Sequence, residues 1–233
     1  MSTRTESARL RTALRENGLT LVFAGLFVAA LVGQAFTGLA IVNREQAAAA
    51  LAPISLARYI TSSTFAVDVA ENWQSEYLQF LLYVLVTVWF VQRGSPESKV
   101  PEAAGRESDQ DQLVAEHARP DSPAWARARG WRLSVYSRSL TLAMGAIFLG
   151  SWLAQSIAGT TAYNASQLRD LQEPVTWAQY VTQPEFWNRT LQNWQSEFLA
   201  VASMVVLSIY LRERGSPESK PVGTPHAATG VEG

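Results

Sequence analysis

Two uncharged apolar runs limit what this chain can fold into. Leu19–Val42 and Leu140–Tyr163 each continue for 24 residues without an Asp, Glu, Lys or Arg. About 20 apolar residues in a helix cross a bilayer, and within lipid only helices and closed barrels satisfy every backbone polar group. Both runs are therefore predicted to be transmembrane helices. The first run is too long for a secretory signal peptide, whose apolar region has only ~7–15 residues.

Two shorter apolar runs are predicted to complete an all-α membrane fold. Leu78–Val91 and Phe198–Leu211 have 14 residues each, or about 21 Å of helix, which is less than the ~30 Å hydrocarbon core. Extending each run toward its N-terminus supplies the missing turns. The four predicted spans lie at about 19–42, 73–93, 140–163 and 194–214.

The distribution of basic residues predicts the orientation of the chain. Of the 19 Lys and Arg residues, 15 lie in the N-terminal, middle and C-terminal segments. Because cytoplasmic flanks carry an excess of basic residues, these three segments are predicted to be cytoplasmic. The four others lie in the two remaining loops: Arg44, Arg58, Arg169 and Arg189.

The chain contains an internal duplication. ENWQSEYL at position 71 recurs as QNWQSEFL at position 192, and RGSPESK at position 93 recurs unchanged at position 214. Both spacings are 121 residues, and aligning 17–100 with 138–221 without gaps gives 27 identities in 84 positions. The sequence thus predicts two repeats of two helices each. Because both copies enter from the cytoplasm, the repeats are predicted to be parallel and related by a pseudo-two-fold axis along the membrane normal.

Amino-acid composition predicts which segments outside the spans are helical and which are disordered. Polar, Pro-containing stretches with few apolar residues favour disorder, and Trp interleaved with Arg favours a helix at the headgroup level. Trp125 and Trp131 are the expected interface anchors of that helix. The predicted segments are an amphipathic cytoplasmic N-terminus (1–16), helical outer loops (43–72 and 164–193), a disordered linker (101–123), an interfacial helix (124–137) and a disordered tail (222–233).

Polar residues near the outer ends of the second and fourth spans form a candidate site. Asn72 and Glu76 share one helix face, as do Asn193 and Glu197, and a carboxylate at membrane depth is a functional candidate. The pseudo-symmetry would let the two carboxylates share a proton or bind a hard cation. Alternatively they face headgroup water or an outer loop, which we favour because the polar stripe fades in the second copy. The candidate residues are Asn72, Gln74, Glu76, Asn193, Gln195 and Glu197, with Trp73 and Trp194 as interface anchors.

Small residues recur at every fourth position of the first and third spans. Such stripes let helix backbones approach closely, within one chain or between chains. They are expected to serve helix packing rather than ligand binding. The residues are Gly25, Ala29 and Gly33 in the first span, and Ala146, Gly150 and Ala154 in the third.

The RGSPESK segments are only partly explained by helix termination. Gly94 and Gly215 suit the position after a helix end, and a Pro two residues later prevents continuation. The repetition of Glu-Ser-Lys is left without a reason, and a cytoplasmic docking surface is the alternative.

Several classes of site are not expected. The chain has no Cys, which excludes disulfides and thiolate metal sites. A formal net charge of −1 argues against a nucleic-acid binder. No catalytic constellation or metal-ligand spacing is visible, so no catalytic residue, metal or cofactor is predicted.

The paired NWQSE and RGSPESK motifs resemble those of an uncharacterised family of small bacterial integral membrane proteins, identified only as a domain of unknown function. The resemblance covers 17–100 and 138–221. It implies a location in the bacterial plasma membrane, and it assigns no activity and no site residue.

The sequence supports two hypotheses of function. The first is a non-enzymatic integral membrane protein with a structural, accessory or stress-related role. Its expected partners are membrane lipids and either further copies of itself or another membrane protein. The alternative is a small proton or cation channel or transporter that uses Glu76 and Glu197.

Overall fold

The computed structural model describes residue 12 and residues 14–233. Within that part of the chain the regular structure is helical and contains no strand. The predicted amphipathic segment 1–16 lies mostly outside the described residues. The α-helices are α1 (Gly18–Ala48), α2 (Leu56–Ile60), α3 (Ser63–Val86), α4 (Trp131–Tyr136), α5 (Ser139–Arg169), α6 (Trp177–Tyr180) and α7 (Pro184–Tyr210), and the 3₁₀ helices are Pro101–Ala103 and Ala115–His117.

Helices α1 and α5 contain the two uncharged runs. Each has 31 residues, and each is long and apolar enough to cross a membrane. In the part of the chain that the structure describes, they are the two helices that meet both conditions. Helices α3 and α7 cover most of the other two predicted spans, but their N-terminal halves include charged residues.

The chain forms two compact units, one ending at Ala66 and one beginning at Val67. In the first unit an asparagine clamps the end of α1 to the segment before α2. Asn43 Nδ2 donates to the Ile54 carbonyl over 3.2 Å, and the Ile54 N–H donates to Asn43 Oδ1 over 2.8 Å. Tyr59 of α2 is buried against Gly38 of α1. The two Asn43 hydrogen bonds and the buried Tyr59 ring thus hold α1 and α2 together as a helical hairpin.

The same construction occurs in the second unit, 121 residues later. Asn164 exchanges two hydrogen bonds of 2.8 Å with the backbone of Val175. Tyr180 of α6 is buried against Gly159 of α5, and its ring also contacts Tyr163 and Phe186. The identical residues of the two copies therefore include those that close each hairpin.

Both long helices end in the same backbone motif. Ala50 and Leu171 have φ of 56° and 57°, in the left-handed region. The next N–H bonds back to the carbonyl five residues earlier, from Leu51 to Gln46 and from Gln172 to Gln167. This hydrogen bond is typical of a Schellman helix end, although glycine is absent from both positions.

The C-terminal ends of α3 and α7 differ from the predicted spans. Helix α3 ends at Val86 rather than near residue 93, and α7 ends at Tyr210 rather than near residue 214. Gly94 and Gly215 have φ of 88° and 84°, so they reverse the chain several residues after the helices end. Apolar composition continues past the end of α3 as far as Val91, so hydropathy overestimated the length of that helix, whereas beyond α7 only Leu211 precedes the charged residues 212–214.

The segments that the sequence predicts to be cytoplasmic also have more local structure than composition predicts. The predicted disordered linker, 101–123, contains turns and both 3₁₀ helices, and Lys99 bonds the Gly105 carbonyl over 3.0 Å. The predicted interfacial helix, 124–137, is helical only from Trp131 to Tyr136, because Gly130 has φ of 66°. The predicted disordered tail is bonded to Lys220, as described below.

We expect Gly159→Ala to destabilise the second unit. A Cβ at this position would lie 2.6 Å from Tyr180 Oη and 3.0 Å from its Cε1, and the buried ring has little room to move. Overpacking of this kind costs about 1–3 kcal/mol. Thermal unfolding followed by circular dichroism measures the effect.

The matched control is Gly150→Ala on the same helix. Nothing lies within 4 Å of a Cβ there, and Ala favours helix over Gly by about 1 kcal/mol. Equal midpoints for the two variants would contradict the packing of Tyr180 on Gly159.

Candidate functional site

A charged cluster joins α3 to α7 in the second unit. Arg189 Nη2 lies 2.9 Å from Asp68 Oδ1, and Arg189 Nε lies 2.6 Å from Glu71 Oε2. Asn193 Nδ2 donates to Glu71 Oε1 over 3.1 Å. Asp68 and Glu71 are three residues apart on α3, and Arg189 and Asn193 are four apart on α7, so each pair shares a helix face. We call these four residues the Arg189 cluster.

The cluster contains two carboxylates and one guanidinium, and this imbalance determines its electrostatics. Burial raises the pKa of the Asp68 carboxyl, and the charge and hydrogen bond of Arg189 offset only part of the rise. Burial acts to lower the pKa of Arg189, but Glu71 and then Asp68 outweigh it and raise that pKa. The pKa values of Asp68 and Arg189 both rise because Arg189 has two carboxylate partners, whereas Asp68 shares its one cationic partner with Glu71 and is repelled by Glu71. The cluster therefore stabilises charged Arg189 more than charged Asp68.

Toward the C-terminal ends of α3 and α7 from the Arg189 cluster, the structure brings several predicted site residues together. Gln74 is fully buried, and its Oε1 accepts a 2.7 Å hydrogen bond from Trp194 Nε1. Glu197 contacts Ser75 and lies close enough to Glu76 for their charges to interact. The two predicted carboxylates are thus near each other.

Other predicted site residues are placed differently. Asn72 and Gln195 have exposed side chains, and Asn72 Nδ2 donates to the Asp68 carbonyl of its own helix over 2.8 Å. Trp73 is 43% exposed, while Trp194 is half-buried. Among the described residues, no three His, Asp or Glu are arranged to hold a metal ion.

Asp68, Glu71 and Arg189 were missed as site residues by reasoning from the sequence. The internal alignment contains a signal that would have found them. At a spacing of 121, Asp68 is aligned with Arg189 and Glu71 with Gln192, so one position is acidic in the first copy and basic in the second. If equivalent positions face each other, such a pair forms a salt bridge.

A second feature is an aromatic cluster where α7 begins. The Trp152 ring of α5 contacts Phe186, Trp187 and Trp194 of α7 at centroid distances of 6.2, 6.0 and 5.8 Å. Beside it lies an open groove of about 360 Å³ with apolar walls. Two polar groups at the groove are already bonded: Trp177 Nε1 donates to Ser156 Oγ, and Trp187 Nε1 donates to the Val181 carbonyl, each over 2.9 Å.

The small-residue stripes lie on exposed surface within each unit. A Cβ built at Gly25, Gly33 or Gly150 would have no atom within 4 Å. The interface anchors Trp125 and Trp131 are 43% and 66% exposed and contact each other edge to face at 6.0 Å. All these surfaces are sterically open to a further contact.

The repeated RGSPESK segments use their serines in equivalent turns. Ser98 Oγ accepts from the Gln92 N–H over 2.8 Å, and Ser219 Oγ accepts from the Glu213 N–H over 2.9 Å. The two glutamates also meet: a hydrogen bond to Glu97 and then its charge raise the pKa of Glu218. The repetition of Glu and Ser thus has a structural role within the chain.

The second lysine of the repeated segments holds the C-terminal tail. Lys220 is 1% exposed, and its Nζ donates to the carbonyls of Gly94 (2.6 Å), His226 (2.9 Å) and Ala228 (3.2 Å). Burial, and then the charge of Arg212, lower the pKa of Lys220. The tail returns to the first segment, where the Gly94 N–H donates to Thr229 Oγ1 over 2.8 Å.

Comparison with known proteins assigns the chain to a family. It belongs to the family described as Domain of unknown function (DUF6766), which matches residues 10–231. No curated protein matches the chain, and no solved structure does.

We expect Glu71→Gln to destabilise the protein more than Asp68→Asn. The Glu71 side chain is 17% exposed against 36% for Asp68, and it bonds both Arg189 and Asn193. An exposed salt bridge stabilises a protein by about 0–1 kcal/mol, and breaking a buried one costs more. The salt bridges of Arg189 are half-buried. We therefore expect a loss of about 1–2 kcal/mol in the free energy of unfolding for Glu71→Gln and of less than about 1 kcal/mol for Asp68→Asn. Thermal unfolding measures both losses, with the exposed Glu173→Gln as control.

The pH dependence tests the same asymmetry. Because the folded-state pKa of Asp68 is raised, protonation of Asp68 favours the folded state, and its ionisation reduces stability as the pH rises through that pKa. The wild type should therefore gain stability relative to Asp68→Asn on acidification. A relative loss would contradict the direction given for Asp68.

Proposed function

We propose that this chain is a non-enzymatic integral membrane protein of the bacterial plasma membrane, with four transmembrane helices and cytoplasmic termini. The observation that carries the proposal is the pair of long apolar helices, α1 and α5, whose bounds differ by 121 residues. The C-terminal halves of α3 and α7 complete the membrane domain. Their N-terminal halves contain the Arg189 cluster and lie toward the outer surface.

Contacts between equivalent positions support a parallel repeat. Asp68 bonds Arg189, the charges of Glu76 and Glu197 interact, and Glu97 bonds Glu218. In each pair the two positions differ by 121 residues. When two helices run side by side in the same direction about a pseudo-two-fold axis, each residue of one helix lies at the same level as its equivalent residue in the other. An inverted repeat would not pair them in this order.

The charged groups of α3 and α7 support a structural or accessory role. Arg189 bonds both Asp68 and Glu71, and the groove beside Trp152 has apolar walls. The open stripes around Gly25, Gly33 and Gly150 suit association with further copies or with another membrane protein. Membrane lipids are the other partners.

Purification from native membranes tests this role. A stoichiometric membrane partner, or a homo-oligomer that Gly150→Leu disperses, is the expected result. Gly18→Leu is the control, because Gly18 also has no neighbour within 4 Å but lies at the start of α1, outside the stripe. A monomer with no interactors would contradict the proposal.

The topology can be tested because the chain has no Cys. Single variants Ala50→Cys and Glu173→Cys in the outer loops should react with a membrane-impermeant maleimide on intact cells of the expression host. Ala118→Cys in the linker and Ala227→Cys in the tail should react only after permeabilisation. Labelling of the linker on intact cells would contradict both the orientation and the number of spans.

The proximity of Glu76 and Glu197 favours one alternative, a small proton or cation channel or transporter. Two neighbouring carboxylates at membrane depth can share a proton or bind a hard cation. On this alternative, the protein in proteoliposomes should carry proton or cation flux that Glu76→Gln with Glu197→Gln abolishes. Glu45→Gln is a control outside the pair. Absence of flux, or flux unchanged in the double variant, would reject the alternative.

A further inference from the structure

Besides Arg212 Nε, four buried polar atoms in the second unit have no hydrogen-bond partner among the described residues. They are Gln74 Nε2, Trp152 Nε1, Gln155 Oε1 and Thr190 Oγ1. The side chains of Gln74, Gln155 and Thr190 are 0–1% exposed. An unsatisfied buried polar group destabilises the folded state, and native proteins contain few of them. Four in one unit therefore require an explanation.

The four atoms belong to one layer between α3, α5 and α7. The Trp152 ring contacts both Phe186 and Trp194 of α7, and Thr190 lies one helical turn from each of these two residues. Trp194 in turn bonds Gln74 Oε1 over 2.7 Å. The contacts among Trp152, Trp194 and Gln74 thus connect the three helices at the level of Thr190.

Gln155 lies in the same layer on α5. Phe148 contacts Trp194, while Gly159 contacts Tyr180, whose ring packs on Phe186. Helices α5 and α7 are therefore antiparallel, and Gln155, between Phe148 and Gly159, is level with the part of α7 around Thr190. Both side chains are buried, yet Gln155 Oε1 and Thr190 Oγ1 do not bond each other. A polar gap of this kind calls for a bridging molecule.

The unpaired atoms have complementary chemistry. Gln74 Nε2 and Trp152 Nε1 are donors, Gln155 Oε1 is an acceptor, and the Thr190 hydroxyl is both. A buried water makes about three hydrogen bonds to such groups. We propose that this layer binds water, held by Trp152, Gln155, Thr190 and Gln74. The aromatic groove is a separate feature, because Trp152 Nε1 is inaccessible to solvent.

The duplication provides an internal comparison. Gln34 is the first-copy equivalent of Gln155, but Leu31 occupies the position of Trp152 and Val69 that of Thr190. The first copy therefore lacks two of the four polar groups. The four polar groups of the water site therefore occur together once, with Gln74 from the first copy and the other three from the second.

The effect of Thr190→Val on stability tests the site, because Val and Thr have nearly the same shape. If Thr190 holds a bridging water, the variant loses that anchor and its thermal midpoint falls by ~2–4 °C. If the Thr190 hydroxyl has no hydrogen-bond partner, Val removes an unsatisfied buried group, and the thermal midpoint stays the same or rises. That result would overturn the proposal. Thr161→Val on α5 is the control, because its hydroxyl is exposed and bonds only its own helix.

A second measurement detects the water directly and does not depend on the variant folding. In wild-type protein with ¹⁵N-labelled tryptophan in micelles, the Trp152 indole proton should show a cross-relaxation peak to long-lived water. The Trp187 indole, bonded to the Val181 carbonyl, should show none. Trp152→Phe assigns the resonance. Absence of the Trp152 peak, or a direct bond from Trp152 to Gln155 in an experimental map, would overturn the proposal.

Discussion

The contact of Arg189 with Asp68 and Glu71 is the interaction on which the second unit most depends. Few other polar contacts join α3 to α7, and this one determines which faces of the two helices meet. A guanidinium suits the task because its planar array of N–H groups can bond two carboxylates at once. With the faces so placed, Trp194 reaches Gln74, and Glu197 comes near Glu76.

The two copies share their closing contacts and differ where one copy must contact the other. The Asn clamp and the Tyr–Gly contact occur in both hairpins, since each hairpin closes on itself. Asp68 of α3 is aligned with Arg189 of α7, and these opposite charges attract, whereas Glu76 and Glu197 are identical and lie near each other. The pair Glu97 and Glu218 kept its identity, and there the carboxyls share a hydrogen bond and the pKa of Glu218 is raised.

The second copy also contains the less usual chemistry. It holds the aromatic cluster around Trp152, the groove beside it and three of the four residues with unpaired polar atoms, the fourth being Gln74 of the first copy. The equivalent of Trp152 is Leu31, and that of Trp187 is Ala66. A duplicated scaffold lets one copy keep the simpler packing while the other acquires large side chains, because each hairpin retains its own closing contacts.

Local composition and the internal duplication are enough to predict several features of the fold. The helical class, the two apolar helices and their starts near Leu19 and Leu140 follow from uncharged runs that need internal hydrogen bonding. Three other features emerge only from the folded chain: the ends of α3 and α7, the contacts of Lys220 with the tail, and the two partners of Arg189. These features depend on contacts between residues more than 100 positions apart, or on backbone carbonyls that composition does not reveal. The internal alignment contains a signal for the contact of Asp68 with Arg189, which the sequence analysis missed, because a duplication turns a distant contact into a comparison of equivalent positions.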